Sequence, residues 1–191
     1  MARALKRLAL AALLLAVLGF LALLIWSPYR EHDGFPYPLV KETVDVDAPC
    51  ERVHAYLGNS ANASDWSVFV DHITPLNEDS VPDGEAGSIR RSFRNADESG
   101  MTWDEHFEVV EPLRRRLSVY NLKGAPRAEA DLLTEQIYEP LGEDGCRLSF
   151  TLFFRTEPGL RDAVLMRLTS HWIARIFRRN IDNVGRLVEA S

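Results

Sequence analysis

The chain has 191 residues, 46% of them hydrophobic and 26% charged, with a formal net charge of −6. Setting aside Arg3, Lys6 and Arg7 at the start leaves about −9 on the remainder, which speaks against a phosphate-backbone partner, so no nucleic acid is expected. Two cysteines, Cys50 and Cys146, have no metal-ligand spacing, and the histidines (His32, His54, His72, His106, His171) are scattered singly, so no metal site is expected.

Leu8 to Trp26 is a run of nineteen positions without a charge. As a helix it spans about 28 Å, close to the roughly 30 Å hydrocarbon core of a bilayer. Its nine leucines, with Val17, Phe20 and Ile25, each favour the bilayer by roughly 0.3 to 0.6 kcal/mol on an insertion scale. Trp26 and Tyr29 stand where an interfacial aromatic belt belongs, and Arg30, Glu31, His32 and Asp33 mark the return to water. The competing assignment is a cleavable secretory signal, whose apolar region is about 7 to 15 residues long and ends in a small-x-small site. Neither condition is met, so the run reads as an uncleaved anchor. The basic residues before it place residues 1–7 in the cytoplasm, 8–26 across the membrane, 27–38 in a short linker and 39–191 in one extracytoplasmic domain.

Gly34-Phe35-Pro36-Tyr37-Pro38 is too proline-rich for a helix and too short for a long tether, which keeps the domain near the membrane surface. Val40 to Val46 alternates as a strand. Ala48-Pro49 opens a short helix with Val53, Tyr56 and Leu57 on its inner face, stopped by Gly58, and a second short helix covers Ser60 to Trp66. Period-two patterning then predicts strands near Val68–Leu76, Gly87–Asn95, Met101–Val110, Arg114–Leu122, Glu129–Glu139 and Cys146–Thr156, joined by turn-like links. After Pro158-Gly159, the apolar residues Leu160, Val164, Leu168, Trp172, Ile176, Ile181, Val184 and Val188 recur at helical steps, with arginines on the opposite face. The order predicts an α+β fold: an antiparallel sheet wrapped around one long C-terminal helix.

The segment Val44-Asp45-Val46-Asp47-Ala48-Pro49-Cys50-Glu51-Arg52-Val53, followed by Trp66, Gly87-Ser88 and Glu111-Pro112, resembles the START-like (SRPBCC) superfamily, in particular its polyketide cyclase/dehydrase and lipid-transport branch. The resemblance runs from about Val40 to Val188. It implies a helix-grip fold, with seven antiparallel strands around the terminal helix and a cavity between them for a hydrophobic small molecule or lipid. It does not fix an activity, because that superfamily contains carriers, sensors, cyclases and co-chaperone domains. It also implies that the first and last strands are antiparallel neighbours, which makes Cys50 and Cys146 candidates for a disulfide in an oxidising compartment.

Alternation orients the strands within that fold. Met101, Trp103, Glu105, Phe107 and Val109 form one face of their strand. A hairpin in which Asn95 faces Met101 pairs Phe93 with Trp103 and Arg91 with Glu105, an interior ion pair. Leu132, Thr134, Gln136 and Tyr138 point inward from the next-to-last strand, and Leu148, Phe150, Leu152 and Phe154 from the last. The expected cavity lining is therefore Phe93, Trp103, Glu105, Phe107, Leu132, Thr134, Gln136, Tyr138, Phe150, Leu152, Trp172 and Ile176. Taken alone, such stripes describe a filled core; only the resemblance implies a hollow one.

The leading functional expectation is a membrane-anchored module that binds or carries a hydrophobic small molecule or lipid. An alternative is a cyclase, aromatase or dehydratase in which Glu105 is the general acid or base, tuned by Arg91, while Tyr138 and Gln136 orient a carbonyl. A third is a protein-interaction domain with a collapsed cavity, whose partner the sequence does not name. No nucleophile elbow, phosphate loop or nucleotide fingerprint occurs, so no cofactor is expected.

Overall fold

The computed structural model describes residues 2–124 and 131–190. Helix α1 (Ala2–Ile25) has no fully buried residue in its apolar run Leu5–Ile25, and that run is long and apolar enough to cross a membrane.

The chain after α1 is folded onto the domain. Ser27 Oγ donates to the Arg167 carbonyl at 2.7 Å and lies 2.7 Å from Ser170 Oγ. The His171 ring Nε2 is 2.8 Å from the Leu23 carbonyl, and Arg30 exchanges two backbone hydrogen bonds with Leu39. Tyr29 is buried in a cluster with Val40, Leu152, Phe154, Met166 and Ala174. On the other side of the sheet, Phe35 sets its ring edge-on to Phe153 at 5.2 Å.

Seven strands follow: β1 (Leu39–Val46), β2 (His72–Pro75), β3 (Ile89–Phe93), β4 (Thr102–Glu111), β5 (Arg114–Lys123), β6 (Leu132–Pro140) and β7 (Cys146–Phe154). They form one antiparallel sheet in the order β1-β7-β6-β5-β4-β3-β2, so the first strand closes against the last. Between β1 and β2 lie α2 (Cys50–Gly58), a 3-10 turn (Ser60–Asn62) and α3 (Ala63–Trp66). The long α4 (Leu160–Glu189) crosses the inner face of the sheet. Its second half, through Ile181, Val184 and Val188, seals one end against Val46, Val53, Leu57 and Leu148. The β1–β7 register sets Val46 opposite Cys146, and Cys50 is bonded to Cys146 across a sequence separation of 96.

Two local readings change. The strand expected over Val68–Leu76 narrows to His72–Pro75 because side chains take the preceding amides: Ser67 Oγ accepts from Phe69 N (3.2 Å) and Val70 N (2.8 Å), and Asn180 Oδ1 accepts from Val68 N (2.8 Å). The β3–β4 hairpin is offset by one residue from the expected register and pairs Arg90 with Glu105 and Arg91 with Asp104. The expected start of β6 at Glu129 lies outside the described residues.

Candidate functional site

A cavity of about 310 Å³ lies between the inner residues of β4 to β7 and the first two-thirds of α4. Trp103, Glu105, Leu132, Thr134, Gln136, Phe150, Leu152, Trp172 and Ile176 all line it. The loop before β2 forms a further wall. Phe69 stacks on Trp103 at 5.8 Å between centroids and meets the edge of Trp172 at 4.9 Å, while the Arg94 guanidinium sits 4.6 Å over the Phe69 ring. Three aromatic rings thus join the strand, the loop and the helix.

Burial is uneven along the cavity. Near the start of β4 and β6, the lining residues Met101, Leu122, Leu132 and Leu165 are half-buried and Trp172 is 44% exposed. At the other end Arg115 and Tyr138 are buried against His54 of α2, and Leu148 is buried in the cluster that holds Val53 and Leu57 of α2. The cavity therefore opens beside the first half of α4. The same half of α4 receives the end of α1 through His171, and Ser27 just after it through Arg167 and Ser170.

The deep end is polar. Arg90 Nε donates to Glu105 Oε2 at 2.7 Å, Trp103 Nε1 donates to Glu105 Oε1 at 2.9 Å, and the Arg90 guanidinium covers the Phe107 ring at 4.6 Å. Behind them Arg115, 2% exposed, has no carboxylate partner among the described residues. It donates instead to Gln136 Oε1 (3.2 Å), the Tyr138 hydroxyl (3.2 Å) and the His54 carbonyl (3.1 Å). The Tyr138 hydroxyl donates to Gln136 Oε1 at 2.6 Å. Burial, helped by the neighbouring Arg115 charge, brings His54 down to about 4, so the imidazole is neutral at physiological pH. Burial pushes Tyr138 up to about 12, which keeps its phenol protonated and donating.

Three of the expected lining residues stand elsewhere. Phe93 faces the opposite side of the sheet and stacks on His72 at 4.7 Å, because the one-residue register offset turns Arg90 and Ser92 inward in its place. Phe107 points inward but is covered by Arg90. Tyr138 is sealed behind Gln136 with its ring against His54 at 5.0 Å. Arg91, expected opposite Glu105, instead forks onto Asp104 at 2.6 and 2.9 Å. A register shift between Phe107 and Val109 likewise sets Val109 opposite Arg116 and removes it from the inward set. Sequence reasoning missed Arg90, the Phe69–Val70 wall and the α4 residues Met166 and Thr169. Only Arg90 had a usable signal: Glu105, a lone charge in an apolar stripe, calls for a facing cation, and two adjacent arginines compete for that place.

The sequence matches the polyketide cyclase/dehydrase and lipid transport family over residues 38–189. The chain belongs to that family. No curated protein matches it. Solved structures share the fold. A Thermus thermophilus protein aligns at TM-score 0.59 and 18% identity over 80% of this chain and 98% of its own. A Nitrosospira multiformis protein aligns at 0.58 and 14%, over 78% and 94%. A norcoclaurine synthase point mutant from Thalictrum flavum, bound to a transition-state analogue, aligns at 0.54 and 13%, over 78% and 92%. At these identities the likeness is one of fold. This polyketide cyclase/dehydrase family member has the helix-grip arrangement, a seven-stranded antiparallel sheet gripping a long terminal helix, with an apolar helix added at its N-terminus.

Proposed function

We propose that the protein is a membrane-anchored module that takes a hydrophobic small molecule or lipid into the cavity under α4 and holds or presents it without changing its covalent structure. The observation that carries this reading is the mainly apolar cavity lined by Leu132, Phe150, Leu152 and Ile176, which opens on the half of α4 that receives the end of α1. Covering apolar surface is favourable at roughly 25 cal/mol per Å², so an apolar guest is held in proportion to the lining it shields from water. With Leu5–Ile25 in a bilayer, the docked residues Ser27 and Tyr29 keep the mouth near the membrane surface, where such molecules partition. The basic N-terminal residues favour a cytoplasmic N-terminus, and the Cys50–Cys146 disulfide supports an oxidising, extracytoplasmic setting for the domain.

Native mass spectrometry of the full chain released from membranes, with extraction of any bound molecule and its reincubation with fresh protein, tests this. The expected result is a bound hydrophobic molecule at near one per chain that returns unaltered. Conversion of that molecule, abolished by Glu105→Gln, would establish the cyclase or dehydratase reading instead.

A further inference from the structure

We infer that Gln136 is the polar recognition group of the cavity, and that the ligand is an amphiphile presenting an acceptor oxygen, a carbonyl or carboxylate, to its amide NH2. This rests on the carrier reading and names the chemistry of the ligand's polar end.

The argument is one of donors and acceptors. A guanidinium only donates, and Arg115 Nη1 lies 3.2 Å from the Gln136 amide. The Tyr138 hydroxyl accepts from that same Nη1 and spends its own proton on the same amide atom at 2.6 Å. The atom that meets two donors must be the carbonyl oxygen Oε1, so the orientation of the amide is fixed by its neighbours. The amide nitrogen is left with two hydrogens and no hydrogen-bond partner among the described residues, yet it is not among the sealed unpartnered atoms. Gln136 lines the cavity, so that nitrogen faces the open space.

The surroundings favour an acceptor. Arg115 stands directly behind the Gln136 carbonyl and, with no carboxylate bonded to it among the described residues, polarises the amide so that its NH2 is the stronger donor. The Glu105 carboxylate cannot serve the same end, because, paired with Arg90, it accepts and has no hydrogen to offer an acceptor oxygen. The rest of the lining is mostly apolar. The cavity, about 310 Å³, is of a size to hold a chain with one polar head. Tyr138 and Arg115 are positioning residues: neither reaches the cavity, and both hold the amide in one orientation.

The test uses the full chain in lipid nanodiscs, with fluorescence of the cavity tryptophans Trp66, Trp103 and Trp172 reporting binding of decanone, decanoic acid and decylamine. Gln136→Glu keeps an acceptor for Arg115 and Tyr138 but turns an oxygen toward the cavity in place of NH2. Comparing it with the natural chain in identical discs cancels the partitioning of each probe into lipid. The expected result is a fall of about tenfold in the affinity for decanone or decanoic acid relative to decylamine. A larger fall for decanone marks the carbonyl as the favoured head, and one for decanoic acid marks the carboxylate. An unchanged ratio for both overturns the assignment while leaving the carrier reading intact. Failure of all three probes to bind the natural chain overturns both. Should Gln136→Glu lose its fold by circular dichroism, Gln136→Met, similar in size and without an amide, is expected to erase the preference for the acceptor heads, and retention of that preference overturns the assignment.

Discussion

Arg90 and Glu105 form an ion pair in which both side chains are mostly shielded from water, and each is the other's charged partner. Removing one partner of such a pair strands a charge, at a cost of about 3 to 5 kcal/mol. A double-mutant cycle on Arg90→Met and Glu105→Gln is therefore expected to give a coupling of about 1 to 3 kcal/mol in chemical unfolding, while the cycle on Arg91→Met and Glu105→Gln gives essentially none. Equal couplings would contradict the observed register. His54 supplies a second residue-level expectation. Its folded value of about 4 lies below its ordinary 6.5, so acidification through that window protonates the unfolded chain first. Stability contributed by neutral His54 is complete above pH 6.5 and is lost progressively toward pH 4. The thermal midpoint of the natural chain should fall more steeply over that window than that of His54→Gln, and parallel profiles would show that His54 is not held neutral.

At the scale of elements, the Cys50–Cys146 bond ties the start of α2 to the start of β7, closing most of the domain into one loop. On the loop-entropy account, closure over 96 residues stabilises the fold by up to about 4.7 kcal/mol. Cys50→Ala with Cys146→Ala is expected to lower the unfolding free energy by about 2 to 4 kcal/mol, and an unchanged midpoint would mean the thiols are not bonded in the purified protein. The elements also show what was legible in the sequence. Helix α4 could be read because its apolar residues recur at one period over about eight turns, and β6 and β7 because each strand exposes one face to the interior. Periodicity is blind to a shift of one residue where both faces carry mixed side chains. In β3, Ile89 and Phe93 suggested one inner face, yet Arg90 and Ser92 hold it, because the Arg90–Glu105 pairing and the stacking of Phe93 on His72 are satisfied together only in that register. The Phe69 wall was read as strand because period-two patterning does not register the captures of its amides, a local one by Ser67 at two and three residues and a long-range one by Asn180 of α4.

At the scale of the whole molecule, two features meet on the first half of α4: the mouth of the cavity and the end of α1. Tyr29, buried beside Phe154 and Met166, and Ser27, bonded across to α4, couple the apolar helix to the wall of the cavity through packed contacts. Everything proposed for function depends on an apolar guest reaching the space beneath α4. The most direct measurement is quenching of the cavity tryptophans by a brominated chain. In the full chain with Trp26→Phe and Trp172→Phe, only Trp66 and Trp103 remain, and both line the cavity. Bromodecane added to this variant in nanodiscs is expected to quench their fluorescence saturably, and prior filling of the cavity with unbrominated decanone should prevent it. Fluorescence that stays unquenched at every concentration would contradict the account.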